Sequence, residues 1–316
     1  MSESDNTGLV IKAHSGFFTV HRDSDAKDFT CWAAGRLTKG AHKHDALAVG
    51  DRVAFMLLRS EGNIDGRITS VFPRGYTLSR MDPIAGTNDQ EIQQVIVANV
   101  DLVVFVFSCA LPDFSSRMLD RYLVGAEAQK LPILICATKI DLAGMPQAQS
   151  LFADYERIGY TVIYTSTIDM TGIEALRQTL HGKLSVLTGK SGVGKSSLLN
   201  ALKPGLDKEI GEISKLLKKG KHTTVVPELV RLDEISWIAD TPGLRSYAIW
   251  DVQAEELDAY YREITPYVGK CTFSDCTHTH EPGCAVQHAV ENDAISIERY
   301  DSYCRLRQEL DHQRKW

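Results

Sequence analysis

Apolar and polar positions alternate in short runs through the first 80 residues: Leu9-Val10-Ile11-Lys12, Gly16-Phe17-Phe18-Thr19-Val20 and Phe29-Thr30-Cys31-Trp32-Ala33, each bounded by turn residues. A period of two with β-branched and aromatic residues predicts half-buried strands. Val49-Gly50-Asp51-Arg52-Val53-Ala54-Phe55, after a Gly-Asp turn, and Asp65-Gly66-Arg67-Ile68-Thr69-Ser70-Val71 bring the count to five strands in about 70 residues. Five short strands suit an OB-type barrel.

The pattern changes after a polar, turn-rich stretch at 80–90, where a domain boundary is expected. Largely apolar runs at 100–107, 132–137, 161–165 and 184–188 alternate with helical patterns at 116–129, 173–180 and 197–202, and a strand pair follows at 225–232 and 235–239. Continuous apolar strands separated by amphipathic helices predict a mainly parallel sheet covered on both faces. Helical periodicity returns from Ala285 to the end. The expected architecture is multidomain α/β: a β-barrel over residues 1–80, a parallel-sheet domain over 81–250 and an α-helical domain over 251–316.

Composition narrows the class. A 316-residue chain with 43% hydrophobic residues can build more than one core. No apolar run approaches the roughly 20 residues of a spanning helix, and Met1-Ser2-Glu3-Ser4-Asp5 is a polar start, so a cytoplasmic protein without a membrane partner is expected. The net charge of −6 divides unevenly, +2 over 1–80, −2 over 81–250 and −6 over 251–316. That balance excludes indiscriminate nucleic-acid binding and leaves local, shape-directed contact. Within the barrel, His14, Phe17, Phe18, His21, Trp32, Arg36, Lys39, His42, Lys43 and His44 offer stacking and cationic groups, although Phe17, Phe18 and Trp32 serve equally well as core.

Chemistry enters at Gly189-Lys190-Ser191-Gly192-Val193-Gly194-Lys195-Ser196, which matches G-x-x-x-x-G-K-[ST] between a predicted strand and a predicted helix. Glycines let successive backbone N–H groups point at one centre, and the helix N-terminus adds positive potential, so the loop can cradle phosphates. Lys195 is positioned for the β- and γ-phosphates, and Ser196, or less favourably Ser197, for Mg²⁺.

Four further motifs fit a guanine nucleotide. Thr138-Lys139-Ile140-Asp141 ends a predicted parallel strand and resembles the guanine-reading N-K-x-D, with Asp141 as acceptor for the two guanine N–H groups and the Lys139 stem over the base. Thr138 stands in place of Asn, whose amide arm is longer, and some loss of guanine affinity or stringency is the expectation. Ser166-Thr167 follows another strand, where S-A-K-type loops support guanine through their backbone. Beyond the phosphate loop, Gly220-Lys221-His222-Thr223-Thr224 reads as the end of a switch in which Thr223 or Thr224 meets Mg²⁺, and Asp240-Thr241-Pro242-Gly243 matches D-x-x-G, with Asp240 on Mg²⁺ through water and Gly243 N–H on the γ-phosphate. The base-reading motifs precede the phosphate loop, an order that describes a circularly permuted GTPase domain with its join at His181-Gly182-Lys183. Leu244 follows D-x-x-G where many GTPases carry a water-orienting Gln. Slow isolated turnover is therefore expected, with His222 as the candidate to orient water.

Seven cysteines are too scattered for a disulfide framework, but Cys271, Cys276, His278 and Cys284 fall within 14 residues. Three thiolates and one imidazole fill a tetrahedral Zn²⁺ shell and leave no open position, which describes a structural ion; His280 and His288 compete for the fourth place.

Taken in order, the barrel pattern, T-K-I-D, G-K-S-G-V-G-K-S-S, G-K-H-T-T, D-T-P-G-L and the Cys₃His set resemble the bacterial small-ribosomal-subunit-dependent GTPase family (RsgA, also called YjeQ) over nearly the whole chain. The resemblance implies a GTPase that binds the immature small subunit, contacts 16S rRNA with its OB and zinc domains, and is released when GTP becomes GDP; a monomer is expected. A GTP-dependent switch acting on another RNA or protein is the alternative.

Overall fold

The computed structural model describes residues 6–14, 16–33, 35, 37, 46–58, 65–81, 93–206, 228–240 and 252–313. Five strands, β1 (Asn6–His14), β2 (Phe17–Arg22), β3 (Asp28–Ala33), β4 (Arg52–Leu57) and β5 (Gly66–Val71), pair in the order β1-β2-β3-β5-β4, and β1 also pairs with β4, so the sheet closes into a barrel. Closure removes the free edges that a five-stranded sheet would expose. Alternate residues Val10, Phe18, Val20, Cys31, Val53, Phe55 and Ile68 fill the interior. Phe18 is thus core, while Phe17 and Trp32 lie on the outside. Below the barrel, Arg74 grips the buried Asp51 with two nitrogens at 2.7 Å, and the same carboxylate accepts from Ala48 N.

A hairpin of β6 (Thr77–Met81) and β7 (Gln93–Ala98) links the barrel to the mainly parallel strands and flanks the stretch where the first boundary is expected. It packs into a shared core, since Leu9, Ile11 and Val49 cluster with Leu78, Val97, Val103 and Phe105.

The second, mainly parallel part of the sheet contains β8 (Leu102–Ser108), β9 (Ile133–Thr138), β10 (Thr161–Tyr164), β11 (Leu184–Thr188), β12 (Glu228–Arg231) and β13 (Trp237–Asp240) in the order β10-β9-β8-β11-β13-β12, and it is continuous with the barrel because β12 pairs antiparallel with β1, Lys12 opposite Glu228. Every neighbouring pair is parallel except β12 and β13. β8 is buried along its whole length, and its alternating side chains divide between two cores. Val103, Phe105 and Phe107 meet Leu119 and Tyr122 of α1 (Ser116–Ala128) and Phe152 of α3 (Met145–Arg157), with the single turn α2 (Ile140–Ala143) between. Val104 and Val106 meet Leu176 of α4 (Ile173–Leu180) and Leu198 of α5 (Lys195–Leu202). Each such Leu, Phe or Val contributes roughly 1.5–3 kcal/mol by leaving water.

The join at His181-Gly182-Lys183 is pinned to the β12–β13 turn. Gly182 N donates to Ser236 Oγ at 2.8 Å, Ser236 Oγ donates to Asp233 Oδ2 at 2.7 Å, and His181 Nδ1 lies 3.0 Å from the same carboxylate. Although burial works to raise the Asp233 carboxyl, the Ser236 hydroxyl, His181 and the Ile235 and Ser236 amides hold it down at about 2.

The C-terminal unit has short 3-10 turns at Ala254–Tyr260 and Thr265–Tyr267, then α6 (Ala285–Glu291) and α7 (Ile297–Gln313), around Leu257, Tyr261, Ile264, Val286 and Tyr303. Val124 of α1 joins that core. The seam is ionic as well: Arg299 of α7 pairs with Asp120 of α1 and, at 2.6 Å, with Glu263, and all three side chains are almost fully buried. Arg262 reaches Glu127 at 2.7 Å and lies 4.0 Å over the Tyr160 ring.

Candidate functional site

Parallel strands put their carboxyl ends on one edge, and four motifs meet there: Ser166 past β10, Thr138 at the end of β9, the glycine loop past β11 and Asp240 at the end of β13. The strand order reverses between β8 and β11, and ligands of open α/β sheets bind in the crevice at such a point. Gly189 has φ +156°, and a Cβ there would meet Val106 O at 2.2 Å. Gly192 and Gly194 adopt φ +84° and +97°, in the left-handed region that suits glycine. Val193 is buried and anchors the loop, while Lys190, Ser191 and Gly192 face solvent, with Ser196 and Ser197 exposed at the start of α5. Leu198, Leu199 and Leu202 bury the other side of that helix, so its N-terminal amides stay directed at the loop. Lys195 curls over the loop, its Nζ donating to the Gly189 and Lys190 carbonyls at 2.6 and 2.7 Å. A phosphate drawn to the same centre would exchange those carbonyls for anionic oxygens.

The T-K-I-D strand end is fastened to this loop. Thr138 Oγ1 donates to Val193 O at 2.6 Å and lies 3.2 Å from Phe107 O, so the short hydroxyl reaches the phosphate loop without the longer amide arm. Lys139, in a left-handed backbone conformation, donates from Nζ to Gly192 O at 2.7 Å and to Leu111 O. The Leu111 contact brings in the β8–α1 loop, whose cis Leu111-Pro112 bond no periodicity signals. Ser108 Oγ donates to Pro112 O at 2.6 Å and fixes that loop from the strand side.

Ile140 is buried, and Asp141 is exposed in the first turn beyond β9. Thr165 N donates to Ala137 O at 2.7 Å, which sets the Ser166-Thr167 loop beside T-K-I-D. Ser166 is fully buried, its Oγ accepting from Ile168 N, and Thr167 is half-buried. Asp240 closes β13 one residue past the Val186–Ala239 pairing that aligns β13 with β11. His222, Thr223, Thr224 and Gly243 lie outside the described residues.

The second cluster is separate. Cys271, Cys276, His278 and Cys284 bring four donor atoms within 4.8 Å of one another. Cys271 and Cys284 Sγ stand 3.9 Å apart, and His278 Nδ1 is 3.4 and 3.5 Å from them. A zinc tetrahedron with bonds of about 2.3 Å to sulfur and 2.0 Å to nitrogen has edges of roughly 3.8 Å between sulfurs and 3.5 Å from sulfur to nitrogen. The donor set therefore fits one zinc ion. His280 and His288 stand apart from it, facing Thr279 and Asn292.

Two partners of this knuckle escape a reading of spacing alone. Asp258, twenty residues before His278, lies 3.3 Å from its Nε2, so the proton sits there and Nδ1 is left as donor. Glu281 accepts from Thr277 N, Thr279 N and His280 N and closes the turn around His278.

The comparisons agree with this architecture. The family model described as RsgA GTPase matches residues 71–250. The small ribosomal subunit biogenesis GTPase RsgA of Gemmatimonas aurantiaca is 42% identical over 305 residues, covering 96% of this chain and 97% of that protein. Its namesake in Halalkalibacterium halodurans is 38% identical over 311 residues, with 98% of each covered. Among solved structures, YjeQ from Thermotoga maritima superposes with a TM-score of 0.78 at 32% identity, covering 97% of this chain and 99% of that one. YloQ, titled a circularly permuted GTPase, superposes at 0.74 with 30% identity over 98% and 96%. These likenesses run over nearly the whole chain, barrel, parallel sheet and C-terminal helices alike, and the chain belongs to the RsgA GTPase family.

Proposed function

We infer that this protein hydrolyses GTP to GDP and phosphate as a late factor in small ribosomal subunit assembly, that the subunit stimulates hydrolysis, and that hydrolysis releases it from 16S rRNA. The observation that supports the nucleotide reading is the fastening of Thr138 and Lys139 to Val193 and Gly192, which joins the T-K-I-D strand end to the glycine loop as one nucleotide spanning both would require. In this reading Asp141 accepts from guanine, Ser166 and Thr167 support the base through their backbone, and residues 189–197 cradle the phosphates. Lys195 neutralises charge at the β- and γ-phosphates, and Ser196, Asp240 and Thr223 or Thr224 hold Mg²⁺, which supplies the charge that the transferring phosphoryl group needs. Gly243 senses the γ-phosphate, and His222 orients the attacking water once the subunit orders its segment. Zinc keeps the C-terminal unit folded and takes no part in hydrolysis.

The names of the relatives support the subunit as partner. Among the described residues no helix is long and apolar enough to cross a membrane. The protein works as a monomer in the cytoplasm, with residues 1–80, 81–250 and 251–316 as its barrel, GTPase and zinc domains. The decisive measurement is GTP turnover with and without purified small subunits, with ATP as control. Strong stimulation with GTP and none with ATP is expected; equal turnover of both nucleotides, or indifference to the subunit, overturns the reading. His222→Ala is expected to retain GTP binding and lose the stimulated rate.

A further inference from the structure

The barrel touches the nucleotide-bearing strands through one charged row. β12 lies between β13 and β1, and among the described residues β1 pairs with it at a single position, Lys12 opposite Glu228. On its other side Glu228 stands opposite Asp240, the last residue of β13. Lys12, Glu228 and Asp240 therefore form a row across three strands, although 216 positions separate the first two in sequence. Residues directly opposite in an antiparallel ladder share a face of the sheet, with Cβ atoms about 4.5–5.5 Å apart, and like charges so placed repel. The register thus sets a glutamate beside the aspartate of D-T-P-G.

The counter-charge comes from the barrel. Lys12 Nζ lies 3.2 Å from Glu228 Oε1 and 3.0 Å from Oε2, so both oxygens of that carboxylate are engaged from the strand opposite to β13. This pair is not what holds the two parts together. The Lys12 side chain is 43% exposed and that of Glu228 15%, and a pair so open to water adds little stability. Adhesion comes instead from Leu9 and Ile11 of β1, which cluster with Leu229 and Ala239, and from the His21 ring, edge-on to Trp237 at 4.9 Å. The β1–β2 ladder slips between Val10 and Lys12, a bulge of the kind that re-aims a side chain, and here it delivers Lys12 to Glu228.

Charge at this place bears on Mg²⁺. Ser196, exposed at the start of α5, and Asp240 at the end of β13 are a hydroxyl and a carboxylate, the oxygen donors that this ion takes. Mg²⁺ demands near-octahedral geometry and keeps several waters, so a second free carboxylate beside Asp240 would compete for it and draw it from its place. Paired with Lys12, Glu228 is withheld from that competition.

We propose that Lys12 is a positioning residue for GTP hydrolysis: by neutralising Glu228 it leaves Asp240 as the carboxylate of this row that serves Mg²⁺. This rests on the reading of Asp240 as a Mg²⁺-holding residue, and adds that the charge around the metal is set from the barrel. Any movement of β1 away from β12 frees Glu228 and is felt at the metal.

The test uses the full-length protein and two readouts. One is the Mg²⁺ concentration that half-saturates binding of a fluorescent GTP analogue with an imido β–γ bridge; the other is steady-state GTP turnover. Lys12→Met frees Glu228, and one added unit charge about 7 Å from a dication in a watery setting should lower that Mg²⁺ concentration roughly three- to tenfold. Turnover, kcat, falls by a similar factor while KM for GTP keeps its wild-type value. Lys12→Arg preserves both readouts. Because Lys12 acts only through Glu228, Lys12→Met made in a Glu228→Gln chain shifts neither. A role in adhesion alone would instead move the melting temperature and leave the Mg²⁺ requirement where it was. An unchanged Mg²⁺ requirement in Lys12→Met, or the same shift when Glu228 is already replaced, overturns the proposal. Asp240→Asn separates this from the reading beneath it and is expected to raise the Mg²⁺ requirement. If it does so while Lys12→Met does nothing, the role of Lys12 alone fails; an unchanged requirement in Asp240→Asn removes Asp240 from the metal and overturns both.

Discussion

The proposed nucleotide cleft draws its groups from residues 138 to 240, on the ends of four strands, whereas the Cys₃His knuckle takes its four candidate donors from residues 271 to 284. In the cleft, rigid sheet geometry comes first: Val193 and Gly192 are where Thr138 and Lys139 can reach them because β9, β8 and β11 are neighbours. At the knuckle the order is reversed. Cys271 and Cys276 lie in turns at the edge of the C-terminal core, where a bound ion would add ligand bonds to the packing around Cys284. Buried hydrophobic area supports one site, and ligand bonds support the other. The ionic seam around Arg299 joins the two regions, and its stability depends on every charge keeping its partner.

The sharpest way to break this contrast is to remove the metal. Cys276→Ser, or chelation, should melt the 252–313 unit while GTP affinity changes by less than about tenfold, because structural zinc supplies on the order of 10 kcal/mol to a small fold. Hydrogen exchange resolved by segment reads both parts, and protection of α6 and α7 in zinc-free protein would contradict it. Next in size is the seam. Arg299→Leu leaves Asp120 and Glu263 buried without their cation and should lower stability by about 3–5 kcal/mol. Urea unfolding measures that loss, and replacing all three residues with leucine should recover much of it.

Two changes in the cleft follow. Lys195→Ala should reduce GTP turnover roughly 10²- to 10³-fold, the scale for a preorganised charge at the reacting centre, with an unchanged melting temperature. Thr138→Val keeps the shape but removes the donor to Val193 O, and about 1 kcal/mol of lost hydrogen bonding corresponds to a five- to tenfold weaker GTP affinity. Thr138→Asn should restore it, and calorimetric titration distinguishes the two.

The smallest effect tests the join. The Asp233 carboxyl is held down at about 2, below its ordinary value near 4, so its contribution is fully present above pH 4 and fades as pH falls toward 2. Thermal melts should show wild type more stable than Asp233→Asn at pH 5 and the two converging near pH 2. A constant difference across that range would remove Asp233 from the closure of the permuted chain.

Much of this was legible in residue order. Five alternating runs named the barrel strands, and the largely apolar stretches named β8 to β11, because strands in the middle of a covered parallel sheet, β8 above all, have few positions that face water. The spacing of cysteines and His278 named the knuckle, since metal ligands close together in sequence need no long-range fold to be recognised. Other features were illegible for a definite reason. Phe17, Phe18 and Trp32 have similar chemistry, and only strand register decides which rings point inward. Asp258 and Leu111 serve their sites from distant turns, where neither period nor motif marks them.

The sequence by itself determined the set of elements, the permuted order of the nucleotide motifs and the three clustered cysteines of the knuckle, because local periodicity and short motifs are properties of neighbouring residues. Tertiary structure alone decided that Thr138 reaches Val193 across 55 positions, that His278 rather than His280 or His288 joins the cysteines, and that Arg299 sits between Asp120 and Glu263. Each of those contacts follows from which strands and helices become neighbours, a choice set by how the buried faces of the whole chain pack together rather than by any one segment.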